Sequence, residues 1–318
     1  MEFSTETAVL AACRTLAHRL GLGDTTPRVI GRFSNLAVEM APTPWVARVA
    51  TGTAGPRAEP VWARREIALA RALHDHCAPV GPPAPGTLAG PHTDDGWRIT
   101  LWRRLELTEA LPEPYAAGRA LAACHAALRT LPGDLADDLP EPAPWAALDE
   151  AQRLLAHPEV RRRGGEDAAW VADRLAVIGT GLRAHPAPVQ WLHGDAHRNN
   201  VRVEASGRVV WLDWEDACRA PLEWDLAGLV GAARVLGGAD AGWPEAALTG
   251  WREVGPAIDE ALLAACIEAR AMFVVAWTWW LGPDQPGRRE RLAARLAWLR
   301  ARAASACGGF VSNPPIGA

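Results

Sequence analysis

Apolar positions along the first third of the chain recur first at helical and then at strand spacing. Val9, Cys13, Leu16 and Leu20 share one face of a helix expected over 5–20, which Gly21 closes. Residues 28–49 then break into short alternating runs. Val29-Ile30 precedes a turn at Gly31-Arg32-Phe33-Ser34-Asn35, and strands are predicted over 36–40 and 45–49. Pro60 opens a helix on which Trp62, Glu66, Leu69 and Leu73 share a face. A Pro- and Gly-rich connector over 79–91 leads to Trp97-Arg98-Ile99-Thr100-Leu101, which alternates as a strand should. The pattern to this point predicts a small sheet with one important helix beside it.

Beyond Tyr115 the periodicity becomes helical, with helices expected over 113–130, 145–157 and 166–183 and junctions rich in Pro and Gly. One β island interrupts them. Val201-Arg202-Val203-Glu204 and Arg208-Val209-Val210-Trp211-Leu212 flank Ala205-Ser206-Gly207, a hairpin signal. Helices resume over 222–236, 244–253, 257–281 and 287–306, and a Gly/Pro-rich tail, expected to fray, closes the chain. The reading is an α+β fold of two lobes. A β-rich N-terminal lobe spans 1–104, a larger helical lobe 105–307 and a tail 308–318, with a ligand cleft expected between the lobes.

Composition agrees with a packed core, since 49% of the 318 residues are hydrophobic and 22% charged. A net charge of −4 gives no reason to expect a nucleic-acid partner. The six cysteines are scattered without metal spacing and read as free thiols in a reducing cytoplasm. The N-terminus lacks the pattern of a signal peptide. The apolar stretch 261–281 carries Glu268 and Arg270 mid-segment, which argues for a buried helix and against a membrane span. Cytoplasmic localisation is the expectation. All 33 basic residues are arginine. No step here can use a lysine amine, and any phosphate-binding cation must be a guanidinium.

The densest polar motif is His193-Gly194-Asp195-Ala196-His197-Arg198-Asn199-Asn200, immediately before the hairpin whose far end delivers Asp213. Eighteen residues separate Asp195 from Asp213, about a loop plus a short hairpin, so Asp195, Asn200 and Asp213 should converge. A carboxylate with an amide oxygen is a hard ligand set suited to magnesium carrying nucleotide phosphates. Phosphoryl transfer also needs a carboxylate to orient the acceptor hydroxyl. Asp195 is the candidate for that task, and Asn200 and Asp213 for the metal. In the first lobe, Glu66 lies on an apolar helical stripe and requires a partner, which Arg48 can supply. An Arg so held could grip phosphates, while Gly31 and Ser34 belong to a turn whose backbone N–H groups could cover them.

On these residues the chain resembles the aminoglycoside phosphotransferase / choline kinase family of the protein-kinase-like fold. The resemblance covers the turn at 31–35, Ala47-Arg48-Val49, Arg64-Arg65-Glu66-Ile67-Ala68-Leu69 and Leu121-Ala122-Ala123-Cys124-His125. It continues through the 193–200 motif, Leu212-Asp213-Trp214-Glu215 and Asp225-Leu226-Ala227. It implies that Asp195 is the catalytic aspartate and that Asn200 and Asp213 bind Mg2+. Arg48 and Glu66 would anchor ATP, or GTP, and His193, His197 and Asp225 would brace the loop. Many members carry lysine at the position of Arg48, a difference that bears on nucleotide affinity and choice.

Other readings compete at several positions. Asp195-x-His197 also opens a metallophosphoesterase motif, but no histidine follows His197 to complete one. His125, between Leu121 and Leu128, reads as a core histidine. Trp277 and Trp280 read either as core or as the wall of an acceptor pocket. Glu215 and Asp216 read either as a solvated loop or as an acidic rim attracting a cationic acceptor. The expected function is transfer of the γ-phosphate of ATP to a small-molecule hydroxyl. A cationic antibiotic such as an aminoglycoside leads as acceptor. A choline, homoserine or sugar metabolite is the alternative, and a silent kinase-like binding protein the last.

Overall fold

The computed structural model describes residues 2–131, 135, 139–238, 241–284 and 287–308. The expected tail lies, past Gly308, outside them. Helix α1 (Glu2–Arg19) is followed by strands β1 (Thr26–Arg32), β2 (Leu36–Ala41) and β3 (Trp45–Val49). Helix α2 (Val61–Asp75) and strands β4 (His92–Asp94) and β5 (Trp97–Arg103) complete the first lobe. The sheet runs β1-β2-β3-β5-β4, antiparallel throughout. Val38, Met40, Ala47, Val49, Ile99 and Leu101 point to one face, where Val9, Cys13 and Leu16 of α1 cover them. This is the period-2 against period-3.6 pattern of the sequence realised as packing.

The second lobe holds α3 (Pro114–Thr130), α4 (Ala146–Ala156) and α5 (Pro158–Ala184). Then come strands β6 (Gln190–Leu192), β7 (Val201–Val203), β8 (Val209–Trp211) and β9 (Cys218–Ala220). Helices α6 (Glu223–Leu236), α7 (Gly242–Arg252), α8 (Glu260–Leu281) and α9 (Arg288–Gly308) finish it. Alternating positions pair β7 with β8 as the expected hairpin. The pair β6–β9 was not expected, because three-residue strands buried in a helical lobe show no alternation. Helix α5 begins earlier than the predicted 166, passing through a kink at Gly165 (φ 54°).

Helix α8 is long and apolar enough to cross a membrane, but 67% of that stretch is buried inside the molecule, so it is the core helix of this lobe. Helices α3 and α7 approach through glycine. A Cβ on Gly118 would lie 1.8 Å from the Ala247 carbonyl oxygen, and one on Gly250 2.4 Å from that of Tyr115. Leu69 and Leu73 of α2 are fully buried in the helical core while Ile67 joins the sheet core. At about 1.5–3 kcal/mol per buried side chain, this helix ties the lobes together along the cleft.

Candidate active site

The loop after β6 is fixed from beneath. Asp225, in the first turn of α6, accepts hydrogen bonds from the backbone N–H groups of His193 and Gly194, both at 2.8 Å. It also accepts one from His125 Nε2 at 2.9 Å. The Trp251 indole donates to His125 Nδ1 at 3.0 Å, so His125 is a hydrogen-bonded core histidine, as expected. His193 Nε2 donates to the Leu212 carbonyl at 3.0 Å, and its Nδ1 accepts from the Asp195 N–H at 3.2 Å. One imidazole therefore links the loop to the end of the hairpin. Gly194 has φ +84°, and a Cβ there would meet the Asp216 carbonyl oxygen at 1.8 Å. Only glycine fits.

Asp195 emerges from this frame with its carboxylate shared. Oδ1 accepts from Arg270 Nη2 at 2.6 Å, and Oδ2 lies 3.2 Å from His197 Nε2. Burial pushes this carboxyl up, but His197 and Arg270 outweigh it and hold it below the ordinary aspartate value. His197 is raised: burial opposes its charge, and Asp195 more than compensates. Arg270 also donates to the Gly194 carbonyl and lies over the rings of Trp224 and Phe273. Arg270 is missing from the sequence reading as a site residue. The signal was present, since a guanidinium in the middle of an apolar helix requires a carboxylate partner.

Asn200 Nδ2 donates to the Asp195 carbonyl at 2.9 Å, which leaves the amide oxygen as its other end. The Leu212 N–H donates to the Asn200 carbonyl at 2.8 Å, bringing Asn200 beside Asp213 as the hairpin spacing predicted. Asp213 has φ 65°, and burial, with neighbouring carboxylates, raises its pKa against the pull of Arg48. Among the described residues no group of three or more His, Cys, Asp or Glu side chains could hold a metal alone. Asn200 and Asp213 instead offer two hard oxygen ligands, a set that fits magnesium when phosphates and water supply the rest.

Arg48 donates from Nη1 to Glu66 at 2.8 Å, and from Nη2 to Asp213 and Glu215, both at 2.6 Å. Burial of Glu66 pushes its carboxyl up against the pull of Arg48. Glu215 is 6% exposed. It accepts from Thr53 Oγ1 at 2.7 Å and Asn35 Nδ2 at 2.9 Å as well as from Arg48. Burial would raise its carboxyl, but Arg48 and Arg57 draw it down to about 2. Asp216 is held by Arg57 at 2.7 Å. Arg57, 1% exposed, also grips Glu150 of α4 through two bonds and lies between the Trp62 and Trp277 rings. The two carboxylates considered for an acidic rim are thus bound by arginines from the other lobe.

Two cavities meet at Asp195. One of about 620 Å³ is lined by Gly31, Ser34, Arg48, Glu66, Asn200 and Asp213, with Ile30, Val46 and Trp102 adding apolar wall. The other, about 750 Å³, extends among α6, α8 and α9 and is lined by His197, Arg270 and Trp277. Ser34, Asp195, His197 and Asn199 line both. Trp280 is not in this wall. Its indole donates to the Gly52 carbonyl at 3.2 Å and its ring packs on His157, so it fastens the lobes.

The model of the phosphotransferase enzyme family (APH) matches residues 27–265. No curated protein sequence matches the chain. Solved structures resemble it in fold. The amicoumacin kinase hAmiN, in complex with AMP-PNP, Ca2+ and Ami, is 16% identical with a TM-score of 0.66, over 87% of this chain and 88% of that one. A microcompartment-associated aminopropanol kinase is 16% identical with a TM-score of 0.68, over 92% and 98%. The choline kinase LicA from Streptococcus pneumoniae is 14% identical with a TM-score of 0.65, over 90% and 98%. The two-lobed protein-kinase-like fold and the match over most of the length make this chain a member of the phosphotransferase enzyme family.

Proposed function

We propose that the chain transfers the γ-phosphate of ATP to a hydroxyl of a small metabolite, with Asp195 as the residue that receives that hydroxyl. The observation behind this reading is the position of Asp195, the one carboxylate among the described residues that lines both cavities. The smaller cavity suits the nucleotide, with Arg48 near the phosphates and the turn at Gly31 and Ser34 above them. The larger suits the acceptor. The acceptor oxygen attacks the γ-phosphorus. The bond from that phosphorus to the β,γ-bridging oxygen breaks, and ADP leaves with the electron pair. The hydroxyl proton passes to the Asp195 carboxylate. A carboxylate held below its ordinary pKa is a weak base, so orienting the nucleophile is the larger part of its task. Arg270 and His197 fix its orientation. Mg2+, when held by Asn200 and Asp213, supplies charge neutralisation for the phosphates.

A cationic antibiotic as acceptor drew on the family resemblance and, for its charge, on Glu215 and Asp216 as a free acidic rim. Both are engaged by arginines, and that support falls away. The metabolite-kinase reading is favoured accordingly. The test follows ADP release with ATP and Mg2+ across panels of hydroxylated metabolites and aminoglycosides. Asp195→Asn should lower kcat by about 10²–10⁴-fold with nucleotide affinity little changed. Acceptor-stimulated turnover that survives Asp195→Asn would remove Asp195 from the chemistry.

A further inference from the structure

The cavity beyond Asp195 has an unusual charge balance. Among the described residues, Arg57, Arg270 and three arginines of α9 line it against three carboxylates. Each carboxylate already has its own guanidinium: Asp195 has Arg270, Asp216 has Arg57 and Glu215 has Arg48, all within 2.7 Å. The wall formed by α9 is different. Arg288, Arg291 and Arg295 follow one another at spacings of three and four, so they share a face of that helix, and all three line the cavity.

Other arginines of α9 are paired with acids. Arg289 meets Asp284 at 2.9 Å, Arg302 meets Glu268 at 3.0 Å, and Arg300 meets Asp167. The cavity row has no carboxylate among the described residues. Arg288 donates to the Gly282 carbonyl at 2.9 Å, and Arg295 only to the Arg291 carbonyl at 3.5 Å. Burial, with the like charge of Arg291 beside it, pushes the Arg295 guanidinium down to about 10. Opposite the row, α8 contributes Ile267, Phe273, Val274 and Leu281, apolar surface that weakens screening inside the cavity. A half-buried guanidinium such as Arg295, without a matching acid, is costly until an anion lies beside it, and half-buried Arg288 and exposed Arg291 add like charge on the same face.

We propose that the acceptor of this kinase is anionic, a hydroxylated molecule whose carboxylate or phosphate is bound by Arg288, Arg291 and Arg295 while its hydroxyl faces Asp195. This rests on the kinase reading above and specifies its substrate class. A cationic acceptor would instead add to the surplus of positive charge. Arg288, Arg291 and Arg295 set specificity and take no part in bond making.

Two measurements test it separately. In the first, wild type with ATP and Mg2+ is offered glycerate, 4-hydroxybutyrate and glycerol 3-phosphate against glycerol, choline and kanamycin. An anionic acceptor should exceed its neutral counterpart by at least about tenfold in kcat/KM. The paired change Arg291→Gln with Arg295→Gln should reduce that preference by about 10- to 100-fold. Arg291→Glu should move preference toward choline. A wild-type preference for neutral or cationic acceptors, or an anionic preference that survives the paired change, overturns the proposal. Carboxylate and phosphate sources are distinguished by which panel members respond.

The second measurement needs no turnover. Malonate and inorganic phosphate are titrated calorimetrically into wild type, Arg48→Ala and the paired variant. Binding retained in Arg48→Ala and lost in the paired variant assigns the anion to the α9 row. Binding absent from wild type, or unchanged in the paired variant, overturns the row as an anion site. If the row binds anions and no acceptor is phosphorylated, the kinase reading fails and the anion site stands. Should the paired variant not fold, Arg291→Gln alone, at an exposed position, carries both measurements.

Discussion

Arg48 contacts three carboxylates from one guanidinium, and this explains how a chain without lysine fills the position. A lysine ammonium is a point charge, whereas the guanidinium fork can hold Glu66 from one nitrogen and Asp213 and Glu215 from the other. Removing it has two consequences. Arg48→Ala leaves buried carboxylates without a cation and should cost about 3–5 kcal/mol of stability, read as a lower denaturant midpoint. It should also weaken nucleotide binding about 10- to 100-fold in a titration with a fluorescent ATP analogue. Arg48→Lys restores the charge without the fork, and should recover nucleotide affinity more than stability. Wild-type nucleotide affinity in Arg48→Ala would leave Arg48 as a structural residue only.

Between elements, the decisive contact joins the first turn of α6 to the loop after β6. Asp225 satisfies two backbone N–H groups and His125 from a site with no solvent exposure. Burial would raise its carboxyl, but His125 and His193 reverse that and hold it below the ordinary value of 3.8. A depressed carboxyl contributes stability above its unfolded pKa and loses it as pH falls through the folded value. Asp225→Asn should therefore cost roughly 2–4 kcal/mol at neutral pH. The gap from wild type should narrow as urea melts are repeated below pH 4. A gap that stays constant down to pH 2 would mean that the charge of Asp225 is not what holds the loop.

The same elements mark what was legible in the sequence. Asp195, Asn200 and Asp213 fall within eighteen residues, and hairpin geometry alone brings them together. Strands of three residues such as β6 and β9 are too short to show a period. The arginine partners were hidden for another reason. Arg270 reaches Asp195 across 75 residues and Arg57 reaches Glu150 across 93, through long side chains whose direction no local pattern records. Glu215 and Asp216 read as a solvated loop or an acidic rim because a sequence displays charges and not the cations folded onto them.

Across the whole molecule, the lobes are held by a buried ionic cluster as well as by α2. The segment between β3 and α2 sends Arg57 into the helical lobe, where it grips Glu150, Asp216 and, at 3.8 Å, Glu215. Thr53 and Asn35 reach Glu215 from the same side. Such a cluster costs much to desolvate and is expensive to break by halves, since removing the cation leaves carboxylates buried without one. Arg57→Met retains volume and apolar contact with Trp62 and Trp277 but removes the charge. It should lose about 3–5 kcal/mol and lower Tm by roughly 5–10 °C. Because the cluster is buried, added salt should restore little of that loss. Wild type should melt as one calorimetric transition, and Arg57→Met should split it as the lobes separate before either unfolds. A single transition at the wild-type Tm would show that α2 and its leucines couple the lobes unaided.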